Sequence, residues 1–161
     1  MSDAERGRSL LALDNQLCFA LYAASRAVTA RYRPLLDKLG LTYPQYLVML
    51  VLWEEGSATV SRLGRRLRLD SGTLSPLIRR LETAGLVVRR RGRQDERVVE
   101  VRLTPAGRGL RRRAQRVPER LRAELDLDHP TAARLLTELH ELTDTLTDAD
   151  ELCTIESGTF D

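Results

Sequence analysis

The chain has 161 residues, 42% of them hydrophobic, and a formal net charge of +3, which is length and apolar content enough for one globular domain and excludes disorder along its whole length. Its longest apolar run, Tyr46 to Trp53, is far short of the roughly 20 residues of a membrane helix, and the N-terminus carries both signs of charge and reads as neither signal nor transit peptide. Two cysteines, Cys18 and Cys153, fit a reduced, cytoplasmic protein rather than a disulfide scaffold.

The small net charge hides a division. Residues 1 to 61 balance 6 basic against 6 acidic side chains, residues 62 to 122 hold 19 arginines against 6 acids, and residues 123 to 161 hold one arginine against 11 acids. A cationic block of this kind is either a solvated face or a polyanion-binding surface, and the shape of the segment decides between them.

In chain order, Leu10, Leu13, Leu17, Leu21, Ala24 and Val28 recur at steps of three and four and predict one stripe of a long helix running to Tyr32, interrupted by Pro34. A second helix is expected from Thr42 and Pro44 through the apolar run, with Gly56 as its stop. Val60, Leu63 and Leu67 mark a third. The turn Leu69-Asp70-Ser71-Gly72 then leads into TLSPLIRRLETAG, which presents Leu74, Leu77, Ile78 and Leu81 and ends at Gly85. Two helices joined by a short polar, glycine-containing turn form a helix-turn-helix candidate. The period then changes to alternation: Val87–Arg90 and Val98–Leu103 bracket the charged loop RGRQDER as a two-stranded hairpin would. Thr104 and Pro105 open another helix whose stripe runs from Leu110 to Leu125, kinked at Pro118. A last helix follows His129 and Pro130, with Leu135, Leu136, Leu139, Leu142 and Leu146 on its apolar face.

The expected fold is therefore mainly α with a small β-hairpin wing: a winged helix-turn-helix with N- and C-terminal dimerisation helices. Residues 1–146 form one domain, about 57–103 for DNA binding and about 10–40 and 105–146 for dimerisation. Residues 147–161 read as an acidic, flexible tail. Unpartnered stripes on terminal helices predict a homodimer.

In a helix-turn-helix the second helix places its N-terminal residues at base edges in the major groove. Here these are Ser71, Thr73 and Ser75, one of the first two also expected to cap the helix, followed by Arg79 and Arg80 for phosphate or guanine. Arg89, Arg90, Arg91, Arg93 and Arg97 crowd the hairpin and suit a narrow, negative minor groove. Asp95 is placed to pair with Arg97 and hold the hairpin in shape.

The segment DSGTLSPLIRRLETAGLVVR, the wing sequence DER and the following LTPAG resemble the winged-helix regulators named after the multiple antibiotic resistance repressor, the MarR type, over roughly residues 10 to 146. The resemblance implies an obligate dimer with interleaved terminal helices, bound to a pseudo-palindromic duplex through recognition helices in successive major grooves. The context LDNQLCFALY is similar to the first helix of the branch that senses organic hydroperoxides, the organic hydroperoxide resistance regulators. There a reactive cysteine sits among tyrosines, and the matching positions are Cys18, Tyr22, Tyr32 and Tyr43. Some members resolve the oxidised cysteine with a second one. Cys153 is the only candidate for that role, but it lies in the apparent tail, so completion by a low-molecular-weight thiol of the cell is the larger expectation.

Tyr22, four residues from Cys18, shares its helical face. Tyr32 would lie roughly 21 Å along a continuous helix, within reach only of the Cys18 of a second copy packed antiparallel. Phenol donors would favour the thiolate that attacks peroxide, and Asp14 would oppose it. Oxidation gives a sulfenic acid, which goes on to a disulfide or to over-oxidised states.

These readings converge on a repressor that releases its operator when organic hydroperoxide oxidises Cys18, freeing a peroxide-detoxification gene. One alternative keeps the DNA-binding dimer and makes a small aromatic ligand the signal, with Cys18 inert; a more remote one is a thiol peroxidase. No cofactor or metal is expected: His129 and His140 lack partners at ligand spacing, and Ser71 has no base or oxyanion hole. Met49 and Trp53 read as core.

Overall fold

The computed structural model describes residues 11–91 and 98–156, with side chains as far as residue 147. The chain forms two units, residues 1–121 and 122–161.

In the first unit, a single 3-10 turn at Leu13–Asn15 precedes helix α1, Leu17–Asp37. The helix begins later than its stripe predicts, so Leu13 stands outside it. It also runs through Pro34 instead of stopping there. Pro34 cannot donate to the carbonyl of Ala30, but it lies in the last turn, and the burial of Leu35 and Leu36 just beyond it pins that turn in place.

Helix α2, Tyr43–Glu55, starts where expected. The Thr42 N–H donates to Gln45 Oε1 at 2.8 Å, half of a capping box. Gly56 ends the helix at φ +79°, a backbone conformation glycine adopts without strain. Strand β1, Ser57–Thr59, follows. At three residues it is too short to show alternation, and it exists because β3 offers an edge to pair with.

Helix α3, Val60–Leu67, and helix α4, Ser71–Thr83, form the helix-turn-helix. Two details differ from expectation. The connection is Arg68-Leu69-Asp70, and its left-handed residue is Arg68, φ +53°, whereas Gly72 lies inside α4. The cap is neither Ser71 nor Thr73 but Asp70, whose carboxylate accepts from the Thr73 N–H at 2.8 Å and the Thr73 hydroxyl at 2.7 Å. A carboxylate at that position takes both donors and complements the positive end of the helix.

Strands β2, Val87–Arg91, and β3, Val99–Leu103, are antiparallel, with Arg89 opposite Val101. β1 joins the other edge of β3 to give the order β1-β3-β2, so the expected hairpin is two strands of a three-stranded sheet. Helix α5, Pro105–Ala114, breaks at Gln115, and α6 covers Arg116–Leu125. The break falls just before Pro118, which has no N–H for the carbonyl of Ala114.

The core lies where α2, α3, α4 and the sheet meet. Tyr46, Met49, Leu52, Leu63, Leu74, Ile78, Leu81, Val87 and Val101 are all sealed from solvent. Trp53 and Met49 belong to it, as their apolar setting predicts. No buried side-chain polar atom lacks a hydrogen-bond partner among the described residues.

The second unit is dominated by helix α7, His129–Glu156, opened by Asp128, whose Oδ1 accepts from the Thr131 N–H at 3.0 Å. The helix continues past Thr147, where the tail was expected to begin. No glycine or proline interrupts the sequence before Gly158, so nothing local stops it. Leu135, Leu136, Leu139 and Leu146 are exposed along it, as are His129 and His140. No described helix is long and apolar enough to cross a membrane.

Candidate functional site

The cationic block is organised by a few carboxylates. At the end of α2, Glu55 accepts from Arg62 Nη2 at 3.1 Å and Arg66 Nη1 at 2.5 Å, and Glu54 accepts from Arg66 Nη2 at 2.8 Å. These contacts tie α2 to α3 and hold the Glu55 carboxyl below its ordinary range, chiefly through the Arg62 hydrogen bond. Glu100 on β3 accepts from the Ser57 hydroxyl at 2.7 Å and from Arg102 Nη2 at 2.8 Å, stapling β1 to the sheet, and it stands opposite Arg90 in register. Arg62, Arg66 and Arg102 are therefore engaged within the protein.

Other arginines are exposed, Arg89 among them although Glu82 holds its side chain. Ser71, Thr73, Ser75, Arg79 and Arg80 are exposed on α4, and Arg89, Arg90 and Arg91 on β2. Arg93, Asp95 and Arg97 lie outside the described residues. Beside α4 runs a groove of about 800 Å³ that brings Ser71, Ser75 and Arg89 together with Arg65 and Arg68 of the preceding helix and turn. Arg65 and Arg68 were not among the expected contact residues. Their signal was present in GRRLRLD, but sequence alone does not say which of its arginines line the groove.

The described part of the cysteine region lies on α1. Cys18 is an exposed free thiol. One turn on, Tyr22 is also exposed; its hydroxyl accepts from Arg26 Nη1 at 3.0 Å, and the guanidinium lies 5.5 Å from the ring centroid. Leu17 and Phe19 add exposed apolar surface beside them.

Tyr32 stands elsewhere. Its ring packs on Tyr43 with centroids 4.8 Å apart and on Tyr46 at 5.9 Å, and Tyr46 in turn meets Trp53 edge-on at 6.3 Å. Burial, together with the neighbouring phenols Tyr43 and Tyr46, pushes the Tyr32 hydroxyl up to about 12, and burial raises Tyr43 and Tyr46 as well. All three phenols remain neutral donors at physiological pH. Since α1 is unbroken from Leu17 to Asp37, Tyr32 is roughly 21 Å along the axis from Cys18 of the same chain. Cys18 and Tyr22 thus share one stretch of helix, while Tyr32 and Tyr43 form a separate cluster. Tyr46, hidden in the sequence as one member of an apolar run, completes that cluster. The side chain of Cys153 lies outside the described residues; its backbone belongs to α7. Among the described residues no group of histidine, cysteine and carboxylate side chains could hold a metal.

A helix-turn-helix flanked by an arginine-rich antiparallel wing defines a winged-helix DNA-binding transcriptional regulator. The model of the family described as transcriptional regulator SarA/Rot matches residues 30–113. The organic hydroperoxide resistance transcriptional regulator of Bacillus subtilis is 53% identical over 106 residues, 66% of this chain and 72% of that protein. The regulator TtmR of Methylorubrum extorquens is 57% identical over 106 residues, again 66% of this chain, which spans only about half of that protein, 54%. Reduced AbfR bound to DNA superposes with a TM-score of 0.71 at 36% identity, over 84% of this chain and 96% of AbfR. AbfR, a protein of Staphylococcus epidermidis, is also known in a disulfide-formed state, with a TM-score of 0.60 at 36% identity over 92% of this chain and 99% of AbfR. The chain belongs to this family of MarR-type winged-helix transcriptional regulators, in the branch of the organic hydroperoxide resistance regulators.

Proposed function

We propose that the protein is a dimeric, cytoplasmic repressor that releases its operator when an organic hydroperoxide oxidises Cys18, derepressing a peroxide-detoxification gene. The observation that carries the reading is the exposed Cys18 beside Tyr22 on α1, with the neutral phenol of Tyr32 farther along the same helix, packed on Tyr43 of α2. In an antiparallel dimer, α1 of each copy would bring its tyrosine cluster to the thiol of the other. The exposed apolar side chains of α1 and those of α7 would supply the dimerisation surfaces.

The thiolate attacks the outer oxygen of the hydroperoxide, the O–O bond breaks, the alcohol leaves and the sulfur, oxidised by two electrons, becomes a sulfenic acid. A low-molecular-weight thiol then condenses with it, giving a mixed disulfide and water. In the alternative course Cys153 takes the place of that thiol. Either product adds bulk and polarity to a helix-packing surface and thereby changes the spacing of the two recognition helices. In this reading Ser71, Thr73, Ser75, Arg79, Arg80 and Arg91 meet the duplex, and the sequence assigns Arg93, Asp95 and Arg97 to the same interface.

The test is binding of the purified protein to its own upstream DNA, with and without stoichiometric organic hydroperoxide, for wild type and Cys18→Ser. Oxidation should release wild type and leave the variant bound. Retention of wild type after oxidation would overturn the reading.

A second reading keeps the DNA-binding dimer and makes a small aromatic molecule the signal. It is favoured by a groove of about 620 Å³ lined by Arg26, Arg33, Leu36, Asp37, Leu41 and Tyr43, apolar and aromatic surface with two cations and one carboxylate. Release of Cys18→Ser from DNA by an aromatic carboxylate would support it.

A further inference from the structure

One carboxylate stands among the outward-facing arginines in a position that electrostatics alone does not explain. Glu82 is in the last turn of α4, where a negative charge meets the negative end of the helix dipole, beside Arg89 and within electrostatic reach of Arg79. A free acid there would weaken binding to any polyanion. Glu82 is not free. Its Oε2 accepts from Arg89 Nε at 2.8 Å and lies 2.7 Å from Arg89 Nη2, and its Oε1 accepts from the Arg89 backbone N–H at 3.2 Å. The Glu82 carboxyl is held below its ordinary range, first by the Arg89 side chain and then by that backbone N–H.

The fold does not need this clasp. β2 is already paired with β3 from Val87 to Arg91, and the end of α4 is closed by the Leu86 N–H on the Leu81 carbonyl at 3.0 Å. A half-exposed ion pair also adds little to stability. What the clasp does join is the recognition helix and the root of the wing, the two elements expected to touch DNA. It also takes Arg89, read from sequence as a DNA contact, and commits it to the protein.

We propose that Glu82 is a positioning residue for DNA recognition: by gripping both the side chain and the main chain of Arg89, it fixes the wing against the recognition helix in the one orientation that fits the operator. The inference rests on α4 and the wing docking together on DNA and is independent of Cys18. Geometry and charge make opposite predictions for its removal. If Glu82 acts only as a negative charge, neutralising it strengthens binding to every duplex alike. If it positions the wing, neutralising it weakens binding to the specific site while non-specific binding holds or rises, because the released Arg89 finds phosphates.

The experiment uses the duplex that wild type selects from a random pool and a scrambled duplex of the same length. Affinities for both are measured across a range of salt concentrations for wild type, Glu82→Gln, Arg89→Gln and the double variant, with thermal unfolding of each. For Glu82→Gln the selected-to-scrambled affinity ratio should fall about tenfold with Tm within about 3 °C of wild type. The salt slope on scrambled DNA should steepen by about one unit, and the double variant should be no worse than the worse single one. An unchanged ratio, whether the two affinities move together or not at all, overturns the proposal. So does a ratio loss in which the single effects simply add. The variant Arg79→Ala/Arg80→Ala reports on docking by itself: if it loses DNA while Glu82→Gln keeps its ratio, only the role of Glu82 has failed.

Discussion

The indole N–H of Trp53 donates to the carbonyl oxygen of Gly107 at 2.9 Å, buried and 54 residues away in sequence. The same glycine donates its N–H to Thr104 Oγ1 at 3.0 Å, and a Cβ on it would stand 2.1 Å from the Leu86 carbonyl oxygen. Three contacts at one residue seat α5 against α2 and the start of β2. Trp53→Phe deletes that buried hydrogen bond while the helix keeps its own bond to the same carbonyl, so chemical denaturation should show a loss of about 0.5–1.5 kcal/mol. Gly107→Ala has no room at all and should lose more, visible as a larger fall in denaturation midpoint or as failure to accumulate folded protein.

Asp70 ties the recognition helix to its turn. Its carboxyl is held below the ordinary range by the Thr73 hydroxyl first and the Thr73 N–H second. A carboxyl depressed by folding contributes stability that is present above its unfolded pKa and lost as pH falls through the folded value. Asp70→Asn keeps an acceptor for the Thr73 N–H without the titrating charge, whereas Asp70→Ala removes both. The expected order of Tm at neutral pH is wild type, then Asn, then Ala, and the gap between wild type and Asn should close on acidification below pH 4. A constant gap would show that the charge does not matter.

The Tyr32 phenol has the opposite sign. Its folded value of about 12 lies above the ordinary 10, so the stability it contributes is complete below pH 10 and is lost as pH rises from 10 towards 12, where the unfolded chain ionises first. Denaturation midpoints measured over that interval should fall less steeply for Tyr32→Phe than for wild type. Ultraviolet titration of tyrosinate in the folded protein should lose its latest component in the variant.

The peroxide reading gives Tyr32 a second role that the same variant tests. Tyr32→Phe removes the hydroxyl and keeps the ring that stacks on Tyr43, so reduced protein should still bind DNA. The rate at which hydroperoxide releases it should fall, by about tenfold if the phenol donates to the reacting sulfur. An unchanged rate of release would remove Tyr32 from the sensing site.

Arg79 and Arg80 are exposed on α4, whereas Arg89 is gripped by Glu82. If each meets a phosphate, Arg79→Ala and Arg80→Ala should each lower the slope of log affinity against log salt by about one unit and weaken specific and scrambled duplexes together. A loss confined to one base position of the selected site would instead mark that arginine as reading a base edge.

The sequence by itself determined the architecture. Thr42, Gly56, Gly85 and Thr104 punctuate the helices where capping and left-handed backbone require them, and the change from a period of three and four to a period of two places the wing. The segregation of arginine into one block, together with the helix-turn-helix, named the partner as DNA. That Cys18 and Tyr22 lie one turn apart on one helix was also legible, because spacing within a helix is a local fact.

What non-local contacts control was visible only in the folded chain. β1 is a strand because β3 has an edge for it, and Pro34 stays helical because Leu35 and Leu36 are buried. Local propensity contains neither fact. The caps and clasps follow the same rule. Asp70 rather than Ser71 caps α4, because a carboxylate outcompetes a hydroxyl for the Thr73 donors, and Arg89 is gripped by Glu82 seven residues earlier, because the turn after Gly85 folds β2 back along α4. In a chain with 26 basic residues, the clustering of arginine together with the helix-turn-helix points to a polyanion. Which arginines remain free to bind it is settled by the carboxylates that folding brings beside the others.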